Sequence, residues 1–181
     1  FINKVQLVAG QRVLVNGATG GIGSALVQLL KRHGVHVTAV CSGEYTDRIA
    51  ALGADRVVDY SSIEFTQEDT QYDFVFDAVG KSTFGQCRRI LTRRGVYISS
   101  ELGPWGQNLL FALVTPLGQG RKVVFPVPTN VNATLSLMSM LLATGAFTPL
   151  IDRRYSLDEV RAAFAYVATG QKIGNVLLTL D

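Results

Sequence analysis

Four glycines within seven positions, Gly17, Gly20, Gly21 and Gly23, form the densest chemical signal in this chain. They follow an apolar run, Val13, Leu14 and Val15, that ends at Asn16, and they precede a helix-spaced apolar pattern. Strand, tight turn and helix in that order present unpaired N–H groups and the positive end of a helix dipole, and glycine lets a ligand approach the backbone closely. A pyrophosphate fits such a cradle. In the window ATGGIG, comprising Ala18, Thr19, Gly20, Gly21, Ile22 and Gly23, Ala18 replaces the first glycine of the usual dinucleotide fingerprint. The other two roles map: Gly20 lets the backbone close on the pyrophosphate, and Gly23 lets the helix sit against the strand.

Other residue types that do chemistry are present but poorly arranged for it. His33 and His36 flank Gly34 at a helix-to-strand turn, away from where ligands bind in such a fold. Cys41 and Cys87 show no CxxC or Cys/His spacing, so neither a structural zinc site nor a disulfide framework is indicated, and a reduced, cytoplasmic setting is expected. Cys41 has no basic partner in sequence and reads as a small apolar filler. Asp73 and Asp77 read as the ends of a buried strand rather than an acid/base pair. No GxSxG elbow occurs. The sequence identifies no catalytic residue and no metal ligand set.

The elements that position the glycine turn follow from periodicity. A chain of 181 residues, 48% hydrophobic, can bury a sizeable core. Its apolar runs are short and interrupted, so no membrane span and no membrane partner are expected. The net charge is +3, but Arg88/Arg89, Arg93/Arg94 and Arg153/Arg154 are scattered and read as solvated helix ends and strand flanks rather than a nucleic-acid face. Residues 1–11 read as the tail of a helix entering a strand. A helix over 21–33 and a strand over 36–41 complete the first β-α-β unit. The pattern repeats with a helix over 44–52, a strand over 56–59, a polar connection over 61–71, a strand over 73–77, a helix over 82–91 and a strand over 95–99. Residues 101–120 read as a long connection with some helix, and 121–125 as a sixth strand stopped by Pro126 and Pro128. A helix over 130–144 carries Leu135, Met138, Leu141 and Leu142, a stripe expected in the core. Strand 150–155, an N-cap at Ser156 with Glu159 three positions on, helix 157–169 and strand 175–180 close the chain. The fold class is therefore α/β: a doubly wound Rossmann-type parallel sheet of about six strands with a small C-terminal β-α-β return unit. The expected boundaries are 1–149 and 150–181.

The end of the second strand bears on the ligand. NAD-selective folds place Asp or Glu there to hold the ribose 2′-hydroxyl, whereas this strand ends Val40-Cys41-Ser42-Gly43. No acid opposes a 2′-phosphate, Ser42 can donate a hydrogen bond, and Arg48 stands one helical turn further on. NADPH is favoured over NADH, with Glu44 pointing to solvent.

The blocks GQRVLVNGATGGIGSALVQLLKRHGVHVTAVCSG, LGADRVVDY, DFVFDAVG, RRGVYISS and SLDEVRAAFAYVATGQKIGNVLLTL, in this order, resemble the cofactor domain of the medium-chain dehydrogenase/reductase superfamily, in its zinc-independent quinone oxidoreductase branch. The resemblance implies an oxidoreductase that transfers hydride from NADPH to a quinone, enone or similar conjugated carbonyl acceptor. It places Ser42 and Arg48 near the adenosine 2′-phosphate, Tyr60 beside the adenosine end, Val79 and Gly80 along the cofactor's ribose, and Ser99 and Ser100 near the nicotinamide half. It also implies a homodimer paired through the edge strand 121–125. Relatives often carry Lys near Glu44 or Tyr45, which this chain lacks. They also begin with a GroES-like catalytic domain that the final unit completes, so these residues are expected to be a cofactor-domain fragment that is inactive alone. A non-catalytic NADP(H)-binding or dimerising module is the alternative. A short-chain dehydrogenase is disfavoured, because none of Tyr45, Tyr60, Tyr72, Tyr97, Tyr155 and Tyr166 has Lys four residues later.

Overall fold

A computed structural model of the chain describes residues 2–127 and 129–180. Phe1, Pro128 and Asp181 lie outside the described residues, and with them the part of the strand stop expected at Pro128.

Alternation of apolar strands and amphipathic helices builds one parallel sheet covered on both faces. β1 (Arg12–Asn16) leads through α1 (Gly21–Lys31) to β2 (His36–Cys41). A 3-10 turn at Gly43–Tyr45 and α2 (Thr46–Ala50) lead on to β3 (Arg56–Asp59). The chain then crosses to β4 (Tyr72–Asp77) and continues through α3 (Phe84–Cys87), β5 (Leu91–Ser99), α4 (Gln107–Val114) and β6 (Lys122–Val124). The order across the sheet is β3-β2-β1-β4-β5-β6, with every pairing parallel. This is the expected doubly wound fold. Its two halves diverge between β1 and β4, where the loops leaving the carboxyl ends of the strands part and open a crevice.

Both faces of the central strands are buried, which is why they read as continuous apolar runs. Val13 and Val15 of β1 pack with Leu26, Val27 and Leu30 of α1 and Ile49 of α2. Leu14, between them, joins the opposite cluster with Phe65, Val75, Cys87, Ile90 and Tyr97. Among the described residues no helix is long and apolar enough to cross a membrane.

Three expectations are corrected. The helix over 82–91 is a single turn, opened by a Thr83–Gln86 capping box. The Tyr72 N–H then donates to the Ile90 carbonyl (2.7 Å) and Leu91 pairs with Tyr72, so tertiary pairing draws the chain into β5 four residues early. The helix over 44–52 is likewise split into the 3-10 turn and α2. The methionine stripe is largely outside the core: on α5 (Val131–Ala143) Leu141 is 2% exposed, but Leu135 is 60% and Leu142 47% exposed. α5 faces α1 across an open apolar groove of about 910 Å³, where Met138 and Leu137 oppose Ala25 and Leu29.

The closing unit forms its own two-stranded parallel sheet from β7 (Ile151–Ser156) and β8 (Asn175–Thr179), joined by α6 (Val160–Ala168). The expected capping box is present, with Ser156 N–H donating to Glu159 Oε2 (2.9 Å), and a 3-10 turn at Leu157–Glu159 precedes α6.

Cys41 and Cys87 sit in the two separate clusters. Burial pushes the Cys41 thiol up to about 11, helped by the charge of Asp59, and pushes Cys87 up to about 12. Burial, and then the charge of Asp77, also raises Tyr97. Each folded value exceeds its unfolded one, so this stabilisation is complete below the unfolded thiol value of about 8.5 and is lost as pH rises through the folded values. The urea midpoint is expected to stay level below about pH 8.5 and to fall as the pH approaches 11. Cys87→Ala should flatten that decline, and a midpoint unchanged at pH 11 would contradict it.

Candidate cofactor-binding site

The glycine turn is pinned on both sides by backbone contacts. Ala18 N–H donates to the Val40 carbonyl (3.0 Å), fixing the turn to β2, and Gly20 N–H donates to the Gly17 carbonyl (3.1 Å). Gly20 caps α1 in an extended conformation without a side-chain cap, and the first helical bond runs from Ser24 N–H to the Gly20 carbonyl (2.9 Å). The start of α1 therefore keeps the donor set and partial positive charge of an uncapped helix. A Cβ on Gly23 would lie 2.1 Å from the Gly17 oxygen, so helix and turn meet backbone to backbone there. This close-packed, uncapped cradle fits a pyrophosphate.

Across the crevice, the loop after β4 is shaped by Asp77, which has 0% exposure. Its Oδ1 accepts from Asn16 Nδ2 (3.2 Å), Val79 N–H (3.3 Å) and Gly80 N–H (2.9 Å). Its Oδ2 accepts from Ser82 N–H (3.2 Å), Ser82 Oγ (3.0 Å) and Tyr97 OH (2.9 Å). The Tyr97 hydroxyl also lies 2.8 Å from the Ser82 carbonyl. Asp77 is thus a strand end, as the sequence reads, and also the anchor of residues 78–82. Val79 is held against the glycine turn, since a Cβ on Gly17 would fall 2.7 Å from Val79 Cβ. Ser99 is buried at the end of β5, with Oγ accepting from Glu101 N–H (3.2 Å).

The remaining candidates divide between two cavities. Thr19, Ser42 and Tyr60 share a mostly polar cavity of about 610 Å³, whose other wall comes from the closing unit and includes Arg153, Tyr166 and Lys172. Ile22 and Ser100 share an apolar cavity of about 660 Å³ with Phe125, Pro126, Val127 and Leu135. Arg48 lines neither, and its guanidinium donates to the Ile151 carbonyl (3.1 Å) at the start of β7.

The closing unit docks directly on the turn, a contact missed in the sequence. Gly174 N–H donates to the Thr19 carbonyl (2.5 Å), Gly20 and Gly174 form a parallel bridge, and a Cβ on Gly21 would fall 2.8 Å from Asn175 Oδ1. Gly174 has φ +58°, and a Cβ there would lie 2.0 Å from the Leu150 oxygen. A lone glycine ahead of the last strand was the signal for this contact. Nothing local marks Arg153 or Lys172, which come from positions more than a hundred residues beyond the turn.

The sheet order, the glycine turn and the crevice define a nucleotide-binding α/β protein of the dehydrogenase type. The zinc-binding dehydrogenase family matches residues 52–178, and the chain belongs to it. The resemblance to the quinone oxidoreductase branch of the medium-chain superfamily is borne out by its relatives. The 2-methylene-furan-3-one reductase of Solanum lycopersicum is 30% identical over 181 residues, covering 98% of this chain and 42% of that protein. A mitochondrial NAD(P)H oxidoreductase of Mus musculus is 28% identical over 202 residues, covering 94% and 48%. The structure of a quinone oxidoreductase from Coxiella burnetii superposes with a TM-score of 0.85 at 23% identity, covering 99% of this chain and 56% of that one. The chain spans about half the length of the curated relatives it matches. Despite the family's name, no group of three or more His, Cys, Asp or Glu among the described residues could hold a metal ion, so these residues do not fit a zinc site.

Two substitutions test this architecture. Gly23→Ala forces a methyl into the Gly17 backbone and should cost about 1–3 kcal/mol of stability while removing dinucleotide binding. Tyr97→Phe deletes a donor to the buried Asp77 carboxylate and should lower the unfolding free energy by about 1.5–3 kcal/mol. Urea denaturation and cofactor titration measure both.

Proposed function

We propose that the chain is the dinucleotide-binding part of an NADPH-dependent oxidoreductase, whose complete form passes hydride to a quinone, enone or similar conjugated carbonyl compound. The observation that carries this reading is the uncapped glycine turn at the switch point, flanked on one side by a polar cavity and on the other by an apolar one. The relatives' names fit it: one is an NAD(P)H oxidoreductase, and another is a 2-methylene-furan-3-one reductase.

In this reading the backbone N–H groups of Gly21, Ile22 and Gly23 receive the pyrophosphate, with Gly20 letting the backbone approach it and Ala18 holding the turn to β2. Thr19, Ser42 and Tyr60 take the adenosine ribose, and the acid-free end of β2 admits a 2′-phosphate. Arg48 acts indirectly, fixing β7 beside that cavity through the Ile151 carbonyl. Val79 and Gly80, posed by Asp77, line the second ribose, and Ser99 and Ser100 stand near the nicotinamide. When bound, the cofactor supplies the hydride. The chain's part is to bind, to orient, and through Ile22, Phe125 and Val127 to offer an apolar wall that excludes water.

The acceptor pocket and proton donor belong, in this proposal, to a catalytic portion that residues 150–181 help complete, consistent with the relatives' greater length. The complete protein pairs as a homodimer through β6, the edge of the sheet, beside which α4 exposes Leu109, Leu110 and Leu113. Two buried free thiols suit a reducing compartment such as the cytoplasm.

Fluorescence titration should show NADPH binding to this chain without turnover of a quinone or enone. A form extended upstream should turn such an acceptor over with NADPH. Equal turnover by both forms, or no cofactor binding, would sink the proposal.

A further inference from the structure

The polar cavity beside the glycine turn carries two cations on its wall, both from the closing unit: Arg153 on β7 and Lys172 in the loop between α6 and β8. Among the described residues neither lies within ion-pair distance of a carboxylate. Lys172 Nζ donates to the Gly174 carbonyl (2.8 Å), and the N–H of that same residue is bonded to Thr19. The ammonium is therefore tethered at the junction with the turn, and two of its three donors remain for a ligand. Arg153 is positioned differently. Its guanidinium carbon stands 3.7 Å from the Tyr166 ring centroid, while the Tyr166 hydroxyl donates to Asp152 Oδ2 (2.7 Å), which also accepts from Ile173 N–H (3.0 Å). Stacking on that ring orients the guanidinium and leaves donors free at its edge.

The opposing charge is modest. Glu44 is the one carboxylate among the described lining residues, against two cations. Two oriented cations with spare donors suit a phosphate group, which takes charge-assisted hydrogen bonds from several directions. Arg48, the cation that the sequence places nearest, does not line this cavity and donates instead to the Ile151 carbonyl (3.1 Å).

We infer that Lys172 and Arg153 hold the 2′-phosphate of the adenosine half and select NADPH over NADH. The closing unit is then a wall of the cofactor site as well as a connection to the rest of the protein. Ser42 and Tyr60 meet the ligand from the sheet side, and the two cations meet it from the opposite wall. This inference deepens the cofactor reading above and rests on it.

The test is calorimetric titration of the 181-residue chain and its Lys172→Gln, Arg153→Gln and Lys172→Arg variants with NADPH, NADH, 2′,5′-ADP and 5′-AMP, with thermal melting as the fold control. The last two ligands differ only in the 2′-phosphate. Each Gln variant should weaken NADPH and 2′,5′-ADP by about tenfold or more, the worth of a charged hydrogen bond, and leave NADH and 5′-AMP unchanged. Lys172→Arg should keep most of the preference for NADPH. Equal weakening of NADPH and NADH would put the cations at the pyrophosphate or in the fold, and would overturn the inference. A preference for NADPH that survives both Gln substitutions would overturn it while leaving the cofactor reading intact. A parent chain that does not prefer NADPH, or binds neither cofactor, would overturn the cofactor reading and the inference together.

Discussion

A carboxylate removed from water at the centre of a sheet is tolerated only where nearly every lone pair finds a donor, because an unpaired buried charge destabilises a fold strongly. Asp77 meets that demand with six donors drawn from the end of β1, the loop after β4, and β5. The crevice depends on this arrangement. Asn16 precedes the glycine turn, Val79 presses against it, and Gly80 and Ser82 follow the carboxylate around the lip. One charge thus sets the distance between the two loops that border the crevice. It is also costly to disturb, since any change in the loop leaves a donor or an acceptor oxygen unmatched.

The other side of the turn is held without charge. Gly174 meets Thr19 through backbone groups, Gln28 exchanges two hydrogen bonds with the backbone of Thr148 (2.9 and 3.0 Å), and Arg48 reaches the Ile151 carbonyl. These contacts join the closing unit to α1 and α2, so its residues have defined positions beside the polar cavity. The coupling explains why Gly174 is as constrained as Gly23. At both positions a methyl group would collide with a carbonyl oxygen of another element.

Strands and the turn were legible in the sequence because their signals are local: β-branched runs, glycine spacing and apolar helix periodicity. Ser42 was legible from the end of its strand and Tyr60 only through the family resemblance, and it is the fold that brings both together with Thr19 along one cavity. Tertiary competition was not readable. The pairing of Leu91 with Tyr72 ends a helix that the local pattern favours, and the stripe on α5 has the right period without a sheet face beneath it. Asp77 could be placed but not weighted, because its donors arrive from three elements. Arg153 and Lys172 resemble ordinary surface cations until the closing unit folds back on the turn. Arg48 shows the reverse case, a well-spaced cation that the fold places outside both cavities, with a hydrogen bond to the Ile151 carbonyl.

The two cavities flanking the turn differ in polarity, and that difference gives the proposed ligand a direction. A phosphorylated adenosine gains hydrogen bonds and charge on the side of Ser42, Arg153 and Lys172, whereas the other side is mostly apolar, with Ile22, Phe125 and Val127, and its one cation among the described lining residues, Lys4, donates to Thr129 Oγ1 (2.9 Å). Reversing the dinucleotide would strand its charged end on apolar surface, at a desolvation cost that buried charges rarely recover. The same asymmetry accounts for α5. Its exposed Leu135 and Leu142 continue the apolar side past the cavity, and an apolar surface of this extent normally meets a partner surface. In the complete oxidoreductase proposed here, the portion covering α5 would also close the apolar cavity, so that one contact both stabilises the helix and keeps water from the site of hydride transfer.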